Sequence, residues 1–186
     1  ANVSNGGVTL SNSHFAVFAP TPGFVGMGGF QFSVTANDGT AYTNAVSVAI
    51  SALQPPKNLT WRGDGSANVW SDGGPANWFD GTGLVAFGTG DNVTFDDTGS
   101  NSPAISLLSA VSAGDIYFVA SQDYTLSGSG ALIGGASLHK VGPGRLTLNT
   151  LNTFSGGTTI PEGVVQLGNG VSASGSLAGN VTNLGQ

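Results

Sequence analysis

The chain has 186 residues and a mass of 18.4 kDa; glycine fills 31 positions, whereas lysine and arginine together fill four and aspartate and glutamate ten. A glycine costs roughly 1 kcal/mol against alanine inside a helix, so this composition excludes long helices, and 39% hydrophobic residues with a mean hydropathy of +0.14 exclude a disordered chain. A net charge of −6 and a pI near 4.3 exclude nucleic acid as a partner, and no apolar run is long enough for a membrane-spanning helix.

Cysteine is absent, so the chain has no disulfide framework and no thiolate metal site. Together with abundant Gly, Ser, Thr and Asn this is the composition of exported bacterial β-proteins, and an extracellular or cell-surface location is expected. The chain starts Ala1-Asn2-Val3, which reads as a processed secretory product or a piece of something longer.

In chain order, period-2 alternation predicts strands over 8–10, 15–19, 29–35 and 43–51. Phe30, Phe32 and Val34 share one face, and Val46, Val48 and Ile50 repeat the pattern on the next strand. Asn37-Asp38-Gly39 supplies the turn between them. At Leu53-Gln54-Pro55-Pro56-Lys57 two prolines favour an extended connection, so residues 1–52 form one domain, 53–57 a Pro-rich linker and 58–186 the remainder.

Four short strands with one apolar face leave Phe15, Phe30, Phe32, Val34, Val46, Val48 and Ile50 as a candidate strand-acceptor groove. The missing strands are expected from upstream polypeptide or from another copy, by strand donation.

Beyond the linker, Trp61, Trp70 and Trp78 are interleaved with Gly-Asp turns. Strands follow near 92–95, 104–108, 115–120, 124–127, 131–133, 138–141, 145–149, 158–160 and 164–167. Short, regular strands punctuated by glycine predict a solenoid in which each rung buries its apolar residues under the next. The fold class expected is therefore all-β: a partial Ig-like β-sandwich, then a β-solenoid.

Residues that could carry chemistry are sparse. Asp96 and Asp97 are adjacent but point to opposite sides of an extended chain, and Glu162 sits in a Pro-Glu-Gly turn, so no acid–base pair forms and no enzyme is expected. His14 and His139 are too few for a zinc cluster. Asp91, Asp96 and Asp97 are the calcium candidates, with turn capping as the plain alternative; no other cofactor is expected. Trp61, Trp70 and Trp78 are candidate glycan-stacking rings, set against a role as core plugs, so polysaccharide is a candidate partner. Arg62-Gly63-Asp64 matches an adhesion tripeptide by chance frequency.

Two resemblances sharpen this reading. Phe18-Ala19-Pro20-Thr21-Pro22-Gly23-Phe24-Val25-Gly26, Phe30-Gln31-Phe32-Ser33-Val34, Asn37-Asp38-Gly39 and Val46-Ser47-Val48-Ala49-Ile50 resemble the C-terminal half of bacterial Ig-like or cadherin-like tandem repeats. One departure is Val17-Phe18-Ala19-Pro20, where those repeats usually carry tyrosine-threonine-proline.

Leu138-His139-Lys140-Val141-Gly142-Pro143-Gly144-Arg145-Leu146-Thr147-Leu148, Asn152-Thr153-Phe154-Ser155-Gly156-Gly157-Thr158-Thr159-Ile160 and Gly163-Val164-Val165-Gln166-Leu167-Gly168 resemble an autotransporter-associated, or passenger-associated, β-strand repeat. Phe154 stands where that repeat usually has tyrosine. Ser174-Gly175-Ser176-Leu177-Ala178-Gly179-Asn180-Val181 looks like the opening of a further repeat. The resemblance implies a structural module of a large secreted or surface protein, as stalk, adhesin passenger or fibre, with partners in other copies of itself or in the rest of a parent chain.

Overall fold

A computed structural model describes residues 3–11, 15–21, 24, 26–35, 41–52, 55–99, 101–170 and 175–185. The chain is all-β apart from one 3-10 turn, Asp97–Gly99, and it divides into two compact units, Ala1–Pro55 and Pro56–Gln186. The division falls in the two-proline connection.

The first unit has five strands: β1 (Val3–Ser4), β2 (Gly6–Ser11), β3 (Phe15–Pro20), β4 (Gly26–Thr35) and β5 (Ala41–Ala52). β2 and β3 pair antiparallel from Gly6–Pro20 to Ser11–Phe15. β4 and β5 pair antiparallel from Gly26–Ala52 to Thr35–Ala41, with an irregularity between Phe32 and Val34, and β1 adds Val3 and Ser4 to the other edge of β4. The two sheets meet at Phe18, which stacks on Phe30 with ring centroids 6.4 Å apart. Gly28 is required at this contact, because a Cβ there would lie 2.8 Å from the Phe18 ring. The turn expected at Asn37-Asp38-Gly39 lies outside the described residues.

The second unit is a β-solenoid of about four turns. Its strands are β6 (Asn58–Trp61), β7 (Val69–Trp70), β8 (Trp78–Phe79), β9 (Leu84–Val85), β10 (Asn92–Phe95), β11 (Ala104–Leu107), β12 (Ala110–Val111), β13 (Asp115–Phe118), β14 (Tyr124–Ser127), β15 (Ala131–Leu132), β16 (Ser137–Lys140), β17 (Arg145–Leu148), β18 (Thr158–Ile160), β19 (Val164–Leu167) and β20 (Val181–Asn183). One face has the order β20-β18-β16-β13-β10-β6-β8-β9, a second β19-β17-β14-β11-β7, and a third the pair β12-β15 continued by a bridge between Leu151 and Ser176.

Parallel, in-register stacking is what the alternation dictates. Val93, Ile116, Leu138, Thr158 and Val181 occupy one column, and their neighbours Thr94, Tyr117, His139, Thr159 and Thr182 point outward in the next. Rungs of about 20–23 residues bring each strand back over its predecessor. The inward residues form one continuous core from Leu59 to Phe154. Within it Phe95 lies flat on Phe118, centroids 4.3 Å apart and planes 5° from parallel.

Candidate functional site

The three tryptophans sit at the start of this solenoid, and all are fully buried. β8 and β9 run antiparallel on the edge of β6, folding the segment back over the first rung. Trp78 thereby meets Trp61 at 4.9 Å, Trp70 at 5.2 Å and Phe95 at 5.4 Å, mostly edge to face. Trp61 Nε1 donates to Ser102 O at 2.8 Å, and Asn77 Nδ2 donates to Val69 O at 3.0 Å, satisfying the edge of β7. None of the three rings offers a free face for a sugar, so the glycan-stacking expectation is corrected: hydrophobic closure of the first rung has taken those faces.

Asp91, Asp96 and Asp97 do not converge. Asp91 accepts from Lys57 N and Gly88 N, and Asp97 from the backbone and hydroxyl of Ser121, which holds its carboxyl below the usual range. Asp96 accepts from Thr98 and lies 3.6 Å from Arg62. Asp96 thus closes its own turn, whereas Asp91 also ties its turn to the backbone of Lys57 and Asp97 ties its turn to the Ser121 corner. Among the described residues no three acidic or histidine side chains gather as a metal site.

Arg62 is engaged by Asp96, Thr98 and the Phe79 ring, and Asp64 caps its own turn through Ser66 N and Asn68 N, so the Arg-Gly-Asp tripeptide is built into the first rung. Of the strand-acceptor residues, Phe30 is buried under Phe18 and Val48 is half-buried opposite it. The side chains of Phe15, Phe32, Val34, Val46 and Ile50 lie outside the described residues, as does His14.

The turn that follows Leu138 contains a tightly bonded polar group. Asn152 is buried and makes four hydrogen bonds: its Oδ1 accepts from Leu132 N and Thr150 Oγ1, both at 2.9 Å, and its Nδ2 donates to Thr150 O and Ser176 O, both at 3.0 Å. One side chain thus links the preceding rung, its own and the following one. Ser176 Oγ returns a bond to Asn152 O at 3.1 Å. Two residues on, Phe154 is fully buried, filling the corner that Asn152 has fixed.

The same rung buries a cation. Lys140 is only 2% exposed, in the column that holds Phe95 and Phe118 in earlier rungs, and its Nζ donates to Gly142 O. Burial pulls its ammonium below the usual lysine range, with Glu162 and Asp123 acting in the opposite sense. The Gly142-Pro143-Gly144 corner passes directly over the backbone below, where a Cβ at Gly142 would strike Ala120 O and one at Gly144 would strike Gln122 O.

Residues 138–167 match the family described as the passenger-associated-transport-repeat. That segment is similar to a passenger-associated transport repeat. It spans the turn that holds Lys140, Asn152 and Phe154 together with β18 and β19, the first two strands of the next turn. No curated protein and no solved structure matches the chain. No helix among the described residues is long and apolar enough to cross a membrane.

Two residues central to the repeat escaped the sequence reading as site residues. Asn152 is polar in a polar stretch, and only its position two before a buried aromatic marks it. Lys140 alternates in phase with Leu138, and that phase, against the usual exposure of lysine, was the available signal.

Proposed function

We propose that the chain is a non-enzymatic structural segment of an exported bacterial passenger, secreted or displayed at the cell surface, in which the solenoid is a short length of rod needing no cofactor. The observation that carries the reading is that the segment similar to the passenger-associated repeat folds as part of a parallel in-register stack. Such a stack pairs backbone groups along one axis and presents hydroxyl and amide side chains outward, a surface suited to spacing rather than to chemistry. The Asp64, Asp80, Asp91, Asp96 and Asp97 carboxylates each accept hydrogen bonds from backbone or hydroxyl groups, which supports a reading without an acid–base pair.

The test is to fuse the chain ahead of an autotransporter translocation barrel in a bacterial host and treat intact cells with protease. The reading expects surface-exposed chain and a resistant fragment beginning near Pro56. Retention inside the cell, or complete digestion at the surface, would contradict it.

Strand donation belongs to the N-terminal unit. Donation would place a strand of one copy in the antiparallel sheet of the next, where β4 and β5 pair over their length. Light scattering across a concentration series reads this out: donation predicts concentration-dependent polymers, and a constant mass of 18.4 kDa removes it.

A further inference from the structure

We infer that the corner beyond β16 is a carbonyl-lined site for a primary ammonium group, filled in this chain by its own Lys140, and that the bound ammonium joins the Gly142-Pro143-Gly144 corner to the Pro161-Glu162-Gly163 corner of the following turn. The site lies inside the stack and is independent of export.

Lys140 stands where its column calls for a ring. Phe95, Phe118 and Lys140 are in-register partners on β10, β13 and β16, and the two phenyl rings lie flat on each other. The next position in that column is 2% exposed, yet it carries a cation. A lysine stem is apolar enough to lie among core side chains, but its head must reach water or find acceptors. Here the head finds a carbonyl, and Nζ donates to Gly142 O two residues along the chain.

Glycine gathers the acceptors. A Cβ on Gly163 would lie 2.5 Å from Lys140 Nζ, 2.5 Å from Gly142 O and 2.7 Å from Gly144 O. Ammonium and both carbonyls therefore surround one point, which stays open because Gly163 has no side chain and adopts a φ of +78°. An ammonium has three N–H donors, whereas a carbonyl oxygen only accepts, so the opening matches a small cation that carries N–H groups. Around it, Glu162 next to Gly163, and Asp123, whose carboxylate accepts from Arg145 N, favour the charged form against the burial that opposes it.

This chemistry sets what the site accepts. A thioether or methyl head fills the column but leaves Gly142 O a buried acceptor without its donor, which is unfavourable. A quaternary ammonium brings charge without an N–H. A primary ammonium supplies both, and because Nζ bonds one corner and lies against Gly163 of the next, it acts across two turns.

The test exchanges the tethered ammonium for a free one. Lys140→Ala removes the side chain beyond Cβ, which n-propylammonium matches atom for atom. Thermal unfolding of the solenoid in the full chain is followed with n-propylammonium, 1-propanol or tetramethylammonium at equal concentration. The expected result is a lower melting midpoint for the variant and a saturable rise with n-propylammonium alone, with no such rise in the parent chain. Absence of a rise, an equal rise with 1-propanol or tetramethylammonium, or an equal rise in the parent overturns the inference. Should Lys140→Ala fail to fold even with n-propylammonium, Lys140→Met keeps the column filled, and amide exchange over residues 142–144 and 163–165 is compared with the parent, with β11 as control. Exchange at least about tenfold faster at both corners is then expected. Unchanged exchange, or faster exchange at residues 142–144 alone, overturns the link between the two turns.

Discussion

In the N-terminal unit, pairing is antiparallel and local, and among the described residues Phe30 against Phe18 joins its two sheets. In the solenoid, pairing from β10 to β20 is parallel and distant in sequence, and in the middle rungs each inward side chain is covered by the rung above and the rung below. Both units are built from similar strands of Val, Phe, Ser, Thr and Gly. The difference is that a hairpin buries one face only if another sheet supplies the cover, whereas a rung is covered by repetition of itself. A parallel stack also makes every polar inward residue a choice with consequences in three rungs, which Asn152 and Lys140 illustrate.

The comparison breaks most readily at the cap. Trp78→Ala removes a buried ring touching four others, and a Trp-to-Ala change in a core costs about 3–5 kcal/mol. Denaturant titration followed by tryptophan fluorescence should show the solenoid transition at a markedly lower midpoint. Phe30→Ala, outside the solenoid, should leave that transition in place. Equal effects of the two changes on one shared transition would mean that the units fold as one.

Asn152→Leu is the next probe, because it keeps the volume apolar while orphaning Leu132 N, Thr150 O and Ser176 O. A buried group left unsatisfied costs about 1–3 kcal/mol. The expected signature is a loss of stability with faster exchange at Leu132 and Ser176, on the two rungs that flank the substitution. Faster exchange confined to residue 152's own turn would show that the side chain does not join the rungs.

Alkaline pH separates two groups within the solenoid. Burial pushes the Tyr124 hydroxyl up to about 12, and it donates to Asp96 O at 2.8 Å. From pH 10 towards 12 the unfolded chain releases this proton and the folded chain keeps it, so stability falls as pH rises. Lys140 acts in reverse: with its folded value below 10.5, the unfolded chain holds the extra proton in that window and stability rises with pH. Tyr124→Phe should lose about 1 kcal/mol at neutral pH and flatten the alkaline fall. Lys140→Met should remove the rise, and a pH profile unaltered by either change would refute the assignment.

The smallest effect is expected at acid pH. Asp80, half-buried in the cap, is lowered to about 2 by the hydroxyl and backbone of Thr82. Its contribution is present above the usual carboxylate value of 3.8 and is lost as pH falls towards 2. Asp80→Asn should flatten the acid limb of the stability profile slightly, and a carboxyl titrating near 3.8 by NMR would contradict the capping role.

Much of this arrangement was legible in the sequence where strands are long enough to alternate. Strands over 92–95, 124–127, 158–160 and 164–167 lie where period 2 puts them. The passenger repeat was readable because its glycines, Asn152 and Phe154 recur at fixed spacing. Two-residue strands such as Val69–Trp70, Trp78–Phe79, Leu84–Val85 and Ala110–Val111 were not. A pair of residues has no period, and only contact with a distant rung makes it a strand. The tryptophans left packing and ligand binding both open, since an aromatic ring satisfies either, and only the fold-back of β8 decides. Buried Lys140 went unread because composition places lysine outside; its burial depends on carbonyls that the Gly142 corner supplies after folding.

The central claim is that residues 56–186 form a parallel, in-register stack whose first rung is sealed by the aromatic cap. Native-state hydrogen exchange on the intact chain tests it most directly. The account predicts the strongest protection from β10 through β17 and strong protection in β6 under the cap. Exchange in β6 at solvent-like rates would contradict it.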